Sequence, residues 1–259
     1  MKLFLYPNDS TEARRQAAVR CTERLATHFA CYASAAHAAW LHADSCGVAA
    51  PEDCDLIVAF GGDGTVLRAA AVALEADKPL IGVNTGRLGY LCALGEGDLA
   101  GLDAAALAKY RPGKRSLIEF ELNGRTCRAL NELMIAKSDF GTTLDVHAEL
   151  AHGRRENWQG DGLLVATPTG STAYNLSAGG PLLQPECGCF VLTPLCPVDR
   201  RNISIVYSDR EALTVTATCR SAQQAARLYA DGIFLGILEG ALMVRCAAQT
   251  LTLLERENT

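Results

Sequence analysis

Residues 55–70 read DLIVAFGGDGTVLRAA. One aspartate opens the stretch, five apolar residues follow, and three glycines then bracket Asp63 before the pattern turns helical. A continuous apolar run of this length is the mark of a strand covered on both faces, as in a parallel sheet. A second such run, PLIGVN at residues 79–84, lies beyond the helical stretch TVLRAAAVALEA. Strand, helix and second buried strand make a βαβ unit, whose crossover is right-handed.

Working outward, the first third of the chain continues the alternation. KLFLY is a short strand, and Ser10 is the expected N-cap of a helix reaching to about residue 29, with Ala13, Ala17, Ala18, Cys21, Leu25 and Phe29 at helical spacing. An Ala-rich stretch at 33–43 reads as helix, and a further helix is expected over residues 98–110, closed by Pro112-Gly113. Beyond Pro112 the period becomes two. Ile118, Phe120 and Leu122 alternate with Glu119 and Glu121, and Asn123-Gly124 is a two-residue hairpin turn. Leu144, Val146, Ala148 and Leu150 alternate in the same way, and NISIVY, ALTVTATC, RLYA, IFLGIL and ALMVRCA are further strand-like runs, with Asp231-Gly232 turning the third into the fourth. The fold class that follows is an α/β N-terminal domain with a parallel, Rossmann-like sheet, joined to a mainly antiparallel β-sandwich. The expected domains are 1–111 and 112–259, with about the last 15 residues a candidate to return to the first domain.

Composition bounds the function. Of 259 residues 49% are apolar and 20% charged, the balance of a globular protein. A net charge of -5 argues against a phosphate-backbone footprint and so against nucleic acid as partner; Arg200-Arg201 reads as solvated surface. No apolar run is long enough for a membrane span, and the N-terminal MKLFLYPNDSTEARR has too short an apolar centre for a signal peptide, so the expected location is cytoplasmic. The eleven cysteines are scattered without a C-x-x-C pair, the closest spacing being Cys187-Gly188-Cys189. They read as small buried hydrophobes, with no structural metal and no disulfide expected.

A strand that empties through glycines into a helix is a phosphate site, because the first helical N–H groups are unpaired and the helix dipole is positive there. Neither familiar phosphate loop is present: G-x-x-x-x-G-K-[ST] occurs nowhere, and Leu67 stands where G-x-G-x-x-G needs its third glycine. A carboxylate at Asp63 would repel a bare phosphate. It is explained by chemical work, taking a proton from a hydroxyl or meeting a divalent cation; the structural reading is a turn or cap residue. Three further segments are dense in polar groups: GVNTGRLGYL at 82–91, Asn131-Glu132 inside a strand-like run, and GDGLLVATPTGSTAYNLSAGGPLL at 160–183. The glycines of the first read as those of a loop over a ligand, and a short helix is expected near Ser171.

GGDGT at residues 61–65 resembles the signature of a kinase superfamily that includes NAD kinases, diacylglycerol and sphingosine kinases and, more distantly, phosphofructokinases. The other three blocks, in their order and spacing over residues 55–185, resemble the NAD kinase family; the lipid kinases lack TPTGSTAYNLSAGGP. The resemblance implies phosphorylation of the adenosine ribose 2′-hydroxyl of NAD by ATP or polyphosphate, with a divalent cation, Mg²⁺ or Mn²⁺, and a homodimer or homotetramer. By position, Asp63 resembles the base or hydroxyl-orienting carboxylate, and Gly62 and Gly64 the glycines that admit phosphate. Asn131 and Glu132 resemble ribose and diphosphate contacts, and Asp161 the residue that meets the nicotinamide part. Thr172, Ala173, Tyr174 and Ser177 resemble the adenosine lining, while Leu67 and Tyr90 flank the dinucleotide, Tyr90 replacing a more usual phenylalanine. The chain departs from the pattern after LTPLCP at 192–197, where VDRRNIS replaces the usual His-Ser-Leu, and the connection over 180–194 is short. Two other readings follow from the same residues: a kinase of the superfamily with another acceptor, NADH or a lipid, and a dinucleotide-binding protein without turnover.

Overall fold

The computed structural model describes every residue except 42–44, 87–88, 140, 200–202, 220–224 and 257–259. In chain order the first elements are β1 (Lys2–Pro7), α1 (Glu12–Ala26), β2 (Ala30–Ala33), α2 (Ala35–Ala38), β3 (Gly47–Val48), β4 (Leu56–Gly61), α3 (Asp63–Ala76) and β5 (Leu80–Asn84). Then come β6 (Cys92–Gly95), α4 (Ala104–Leu107), β7 (Arg111–Arg115), β8 (Ile118–Leu122), β9 (Arg125–Ala129), β10 (Glu132–Lys137), β11 (Leu144–Leu150), β12 (Arg155–Gly160) and β13 (Gly162–Ala166). The last are α5 (Tyr174–Ser177), β14 (Cys189–Leu195), β15 (Ile205–Ser208), β16 (Leu213–Cys219), β17 (Ala226–Ala230), β18 (Ile233–Ile237), β19 (Ala241–Cys246) and β20 (Leu251–Glu255). Two compact units result, Met1–Lys114 with Leu251–Thr259, and Arg115–Thr250.

The first unit is built on one sheet in the order β3-β2-β1-β4-β5-β20-β7, with β6 also paired to β5. The pairs β1–β2, β1–β4, β4–β5 and β5–β20 are all parallel. Apolar side chains of β1, β4 and β5 (Leu3, Leu5, Val58, Phe60, Ile81, Val83) bury against Ala18, Cys21 and Leu25 of α1. Each large one contributes about 1.5–3 kcal/mol by leaving water. The chain winds from β1 toward β2 on one side and reaches β4 and β5 on the other, so the order reverses between β1 and β4. In open α/β sheets the crevice beyond the C-terminal ends of two such strands is where ligands bind.

Several local expectations give way to tertiary demands. Thr11, not Ser10, caps α1, accepting the Arg14 N–H (3.4 Å), and the helix ends at Ala26. The Ala-rich stretch from residue 33 is no long helix: Ala30–Ala33 is a strand on β1, only Ala35–Ala38 is helical, and residues 42–43 lie outside the described ones. Residues 98–110 hold a 3₁₀ turn to Leu99 and four residues of α4, separated by Gly101 at φ 76°. Pro112-Gly113 does not interrupt the chain but lies in β7, an edge strand, where a missing N–H is tolerated.

The second unit has two six-stranded antiparallel sheets, β15-β14-β13-β10-β17-β18 and β12-β11-β16-β19-β8-β9. Alternate residues of both, among them Leu133, Ile135, Val165 and Phe190 from one and Ile118, Phe120, Val146 and Val244 from the other, form one apolar core. The two hairpins expected at Asn123-Gly124 and Asp231-Gly232 are present, with φ of 51° and 73° at the first and 48° and 78° at the second, as a type I′ turn requires. Of the atypical segment 198–204, Arg200, Arg201 and Asn202 lie outside the described residues. No described helix is long and apolar enough to cross a membrane.

Candidate active site

Each unit gathers its own group of the residues singled out above. In the first, β4 delivers Gly61 and α3 begins at Asp63, with Gly62 as N-cap. The three glycines differ in what made them glycine. A Cβ on Gly61 would lie 2.6 Å from Thr65 Cβ, so Gly61 is a packing residue. A Cβ on Gly62 would meet nothing within 4 Å, and one on Gly64 only Arg68 Nη1 at 4.0 Å. No protein contact therefore excludes a side chain at either, and both sit on the first turn, where helical N–H groups lack intrahelical acceptors. The β1 loop is tied to the same turn: Asn8 Nδ2 donates to Thr65 Oγ1 (3.0 Å), and Asn8 N–H to Phe60 O (2.9 Å).

Asp63 does not cap its own helix. Its carboxylate reaches across to the 82–91 segment, accepting the Tyr90 N–H on Oδ2 (2.9 Å) and the Leu91 N–H on Oδ1 (3.0 Å). Gly89 packs against this carboxylate, and a Cβ there would lie 2.6 Å from Asp63 Cγ. Gly82 is not a loop glycine but lies inside β5, where a Cβ would come 2.8 Å from Val66 Cγ2. An ionised carboxylate has about four lone-pair sites, so two backbone bonds leave capacity for a hydroxyl or a cation. Tyr90 is 75% exposed and Leu67 half-buried, so both side chains are open to a ligand. Arg68 was not anticipated. Its Nη2 donates to Thr65 Oγ1 (3.4 Å), and its guanidinium stands over Gly64, a relation visible in the sequence only as the i, i+4 spacing of the two.

In the second unit, Glu132 opens β10, Asn131 immediately precedes it, and both are buried. The Thr167 loop folds onto them: Thr167 N–H donates to Asn131 O (2.9 Å), Thr167 Oγ1 to Leu130 O (2.5 Å), and Gly170 is pressed so close that a Cβ would lie 2.6 Å from Asn131 Cα. Instead of one short helix near Ser171, a 3₁₀ turn at Gly170–Thr172 leads into the single turn of α5. Thr172 and Ala173 are half-buried, whereas Tyr174, at 45% exposure, and Ser177 face outward. The sequence also hid the role of Asp231. Its carboxylate accepts the N–H groups of Leu130 (2.8 Å), Asn131 (2.7 Å) and Glu132 (3.2 Å), fixing the backbone from which both side chains project. Burial pushes the Asp231 carboxyl upward against the pull of those three bonds. Burial, and then the nearby Asp231, push Glu132 up to about 7, and its Oε2 has no hydrogen-bond partner among the described residues.

Asp161 stands apart from this group. It follows β12 and forms an ion pair with Lys137 (2.5 Å) at the far end of β10 from Glu132. Five strand steps run from Glu132 to Lys137, about 17 Å at strand rise.

Residues 9–108 match the ATP-NAD kinase N-terminal domain and residues 130–233 the ATP-NAD kinase C-terminal domain, segments that contain Asp63 and Tyr90 in the first case and Asn131, Glu132, Asp161 and Tyr174 in the second. An NAD kinase of Symbiobacterium thermophilum is 37% identical over 198 residues, 71% of this chain and 69% of that protein. The chain belongs to the NAD kinase family. A second relative, the NAD kinase of Porphyromonas gingivalis, is 40% identical over 185 residues, 70% of this chain and 64% of that protein. In fold the chain resembles yeast NADH kinase solved with NADH (TM-score 0.84, 19% identity, 99% of this chain and 84% of that one). It also resembles the Archaeoglobus fulgidus NAD kinase solved with ATP (TM-score 0.72, 24% identity, 99% and 94%).

Proposed function

We propose that this chain is an NAD kinase that moves the terminal phosphoryl group of ATP, or of a polyphosphate, to the 2′-hydroxyl of the adenosine ribose of NAD and releases NADP. The observation that carries the reading is the Asp63 carboxylate, held by two backbone N–H groups at the head of α3 between two glycines whose Cα atoms face open space. A 2′-hydroxyl is a poor nucleophile near neutral pH. As its oxygen bonds to phosphorus and the bond to ADP breaks, Asp63 takes the hydroxyl proton. Gly62 and Gly64 let phosphate oxygens approach the first N–H groups of α3, and Arg68 adds a cation beside Gly64.

Glu132, with Asn131, takes ribose and diphosphate. A carboxyl raised to about 7 is partly protonated near neutrality, so it can donate to a ligand oxygen without a full charge opposing the diphosphate. Tyr174 offers a ring and hydroxyl to adenine, with Thr172, Ala173 and Ser177 beside it, and Leu67 and Tyr90 flank the dinucleotide. Asp161 takes the nicotinamide end, a role its distance from Glu132 along β10 suits.

Among the described residues no three His, Cys, Asp or Glu side chains could hold a metal together. Mg²⁺ or Mn²⁺ would come on the nucleotide phosphates, because such ions keep waters and need few protein ligands. When bound, the cation supplies charge neutralisation of the phosphates. The homodimer or homotetramer is supported by β18, an edge strand with Ile233, Phe234 and Ile237 exposed. The cytoplasm suits a chain with eleven free thiols.

The test incubates the purified chain with ATP, Mg²⁺ and NAD and couples the product to an NADP-specific dehydrogenase. NADP formation is expected. Product from NADH or a lipid alone would reassign the acceptor, and tight NAD binding without NADP would make the chain a binding protein.

A further inference from the structure

The segment leaving α5 runs from residue 178 to 188 without regular structure and enters β14 at Cys189. Its first half is pinned. Asn175 Nδ2 donates to the carbonyls of Ser171 (3.2 Å) and Pro181 (3.0 Å), Thr193 Oγ1 donates to Asn175 Oδ1 (2.7 Å), and Leu183 N–H donates to Ser171 Oγ (3.0 Å). Its second half ends in Cys187-Gly188-Cys189, whose two half-buried thiols lie close enough to interact.

Two residues of extended chain separate Cα atoms by roughly 6.6–7.2 Å, at the edge of the ~6.8 Å that a disulfide tolerates. The chain bends at Gly188, which shortens that span. The bend is held from outside: Asp209 N–H donates to Gly188 O (3.2 Å), and Cys189 pairs with Ser208 in β15. Four other thiols stand differently, while Cys92, Cys127, Cys219 and Cys246 are half-buried and Cys196 is exposed. Cys21, Cys31, Cys46 and Cys54 are buried, and desolvation pushes Cys21 and Cys31 up to about 12.

We propose that Cys187 and Cys189 are a reversible dithiol–disulfide site, oxidised by small-molecule disulfides such as oxidised glutathione. Cys187, on the turn, reacts first. Its thiol loses a proton, its sulfur bonds to one half of glutathione disulfide, and the other half leaves and takes up a proton as glutathione. The Cys189 thiol then loses its proton as its sulfur displaces the second glutathione from Cys187. The protein loses two electrons and two protons, and one disulfide becomes two thiols. Burial, Cys187 and then Asp209 push the Cys189 thiol up, so it is not the first to ionise; its attack is intramolecular, and proximity to the Cys187 sulfur rather than acidity drives it. The link would add a covalent brace to the bend at one end of a segment whose other end Ser171 and Asn175 already hold.

The test equilibrates the whole reduced chain in glutathione buffers graded from reduced to oxidised, alkylates the remaining thiols and maps peptides with fragmentation. An internal Cys187–Cys189 link, lighter by two hydrogens, is expected before any other pair joins. Cys187→Ser and Cys189→Ser should each abolish it, and Cys246→Ser, which removes another thiol near Asp209, should leave it intact. Absence of the link in fully oxidised buffer, adducts at Cys187 that never resolve, or a link from either residue to Cys246 would overturn the proposal. The wild-type map decides this even if a variant folds poorly, and it does not depend on kinase activity.

Discussion

Asp63→Asn separates two roles that the carboxylate holds at once. Asparagine keeps one acceptor oxygen, so of the bonds from Tyr90 and Leu91 one survives and the other meets an NH₂ group. Losing one hydrogen bond to a charged acceptor costs about 1.5–3 kcal/mol when buried; half exposure puts this loss at the lower end, a few degrees of Tm in a chain of this size. Losing a general base costs about 100- to 10,000-fold in rate, or roughly 2.7–5.5 kcal/mol of barrier. A clamp loss therefore cannot mimic the full catalytic loss. Gly89→Ala supplies the comparison, because its Cβ would press on Asp63 Cγ and Oδ2 from 2.6 and 2.7 Å and open the clamp while the carboxylate stays. With turnover at saturating ATP and NAD, NAD affinity by calorimetry, and Tm, Asp63→Asn should retain most NAD affinity and lose at least ~100-fold in kcat. Gly89→Ala should lower Tm similarly and lose less kcat than Asp63→Asn, because the carboxylate is displaced but kept. Near-normal turnover in Asp63→Asn, or equal kcat losses in the two variants, would leave Asp63 as a loop clamp and refute the base assignment.

Gly62→Ala should leave Tm nearly unchanged and raise KM for ATP, whereas Gly61→Ala, forced against Thr65, should cost about 1–3 kcal/mol of stability in urea unfolding. Asp161→Ala should weaken NAD binding and cost Lys137 its ion pair; unchanged affinity in a titration would remove Asp161 from the site. Leu253→Ala, at a fully buried position of β20, should destabilise by about 2–5 kcal/mol, read by thermal unfolding. Glu132 holds its proton up to about 7 in the folded chain against 4.5 when unfolded, so its share of stability is full below pH 4.5 and declines as pH rises through 7. Glu132→Gln should remove up to roughly 3 kcal/mol of that decline between those limits, and an unchanged slope of urea stability with pH would contradict the burial argument.

The parallel sheet was legible because β4 and β5 are apolar on both faces, and the second unit because its strands alternate. What escaped was set by contacts remote in sequence. Alanine favours helix, yet of the Ala-rich stretch from residue 33 Ala33 itself pairs with Val48 of β3 and only Ala35–Ala38 is helical, so the ladder overrides propensity at its start. Pro112-Gly113 looks like a break, but an edge strand tolerates proline, and Gly113 packs under the Glu255 side chain of the returning segment. The polar edge strand β12 carries no apolar alternation to find. At the candidate site, glycine and acid identities were readable, but their reasons were not: spacing does not distinguish Gly61, which packs, from Gly62, which faces open space.

Both units solve one problem in the same way. A loop rich in glycine or hydroxyls must hold a fixed shape beside polar ligand groups, and in each unit a carboxylate accepts consecutive backbone N–H groups: Asp63 those of residues 90–91, Asp231 those of residues 130–132. Asp231 sits in an Asp-Gly turn for which asparagine would serve equally well. Asparagine has one acceptor oxygen against two, and three N–H groups converge there, so the turn alone does not account for aspartate. The consequence falls on Glu132. Burial raises its proton affinity most, and the carboxylate that fixes its backbone adds to that rise, so the same residue both shapes this part of the site and helps keep Glu132 protonated.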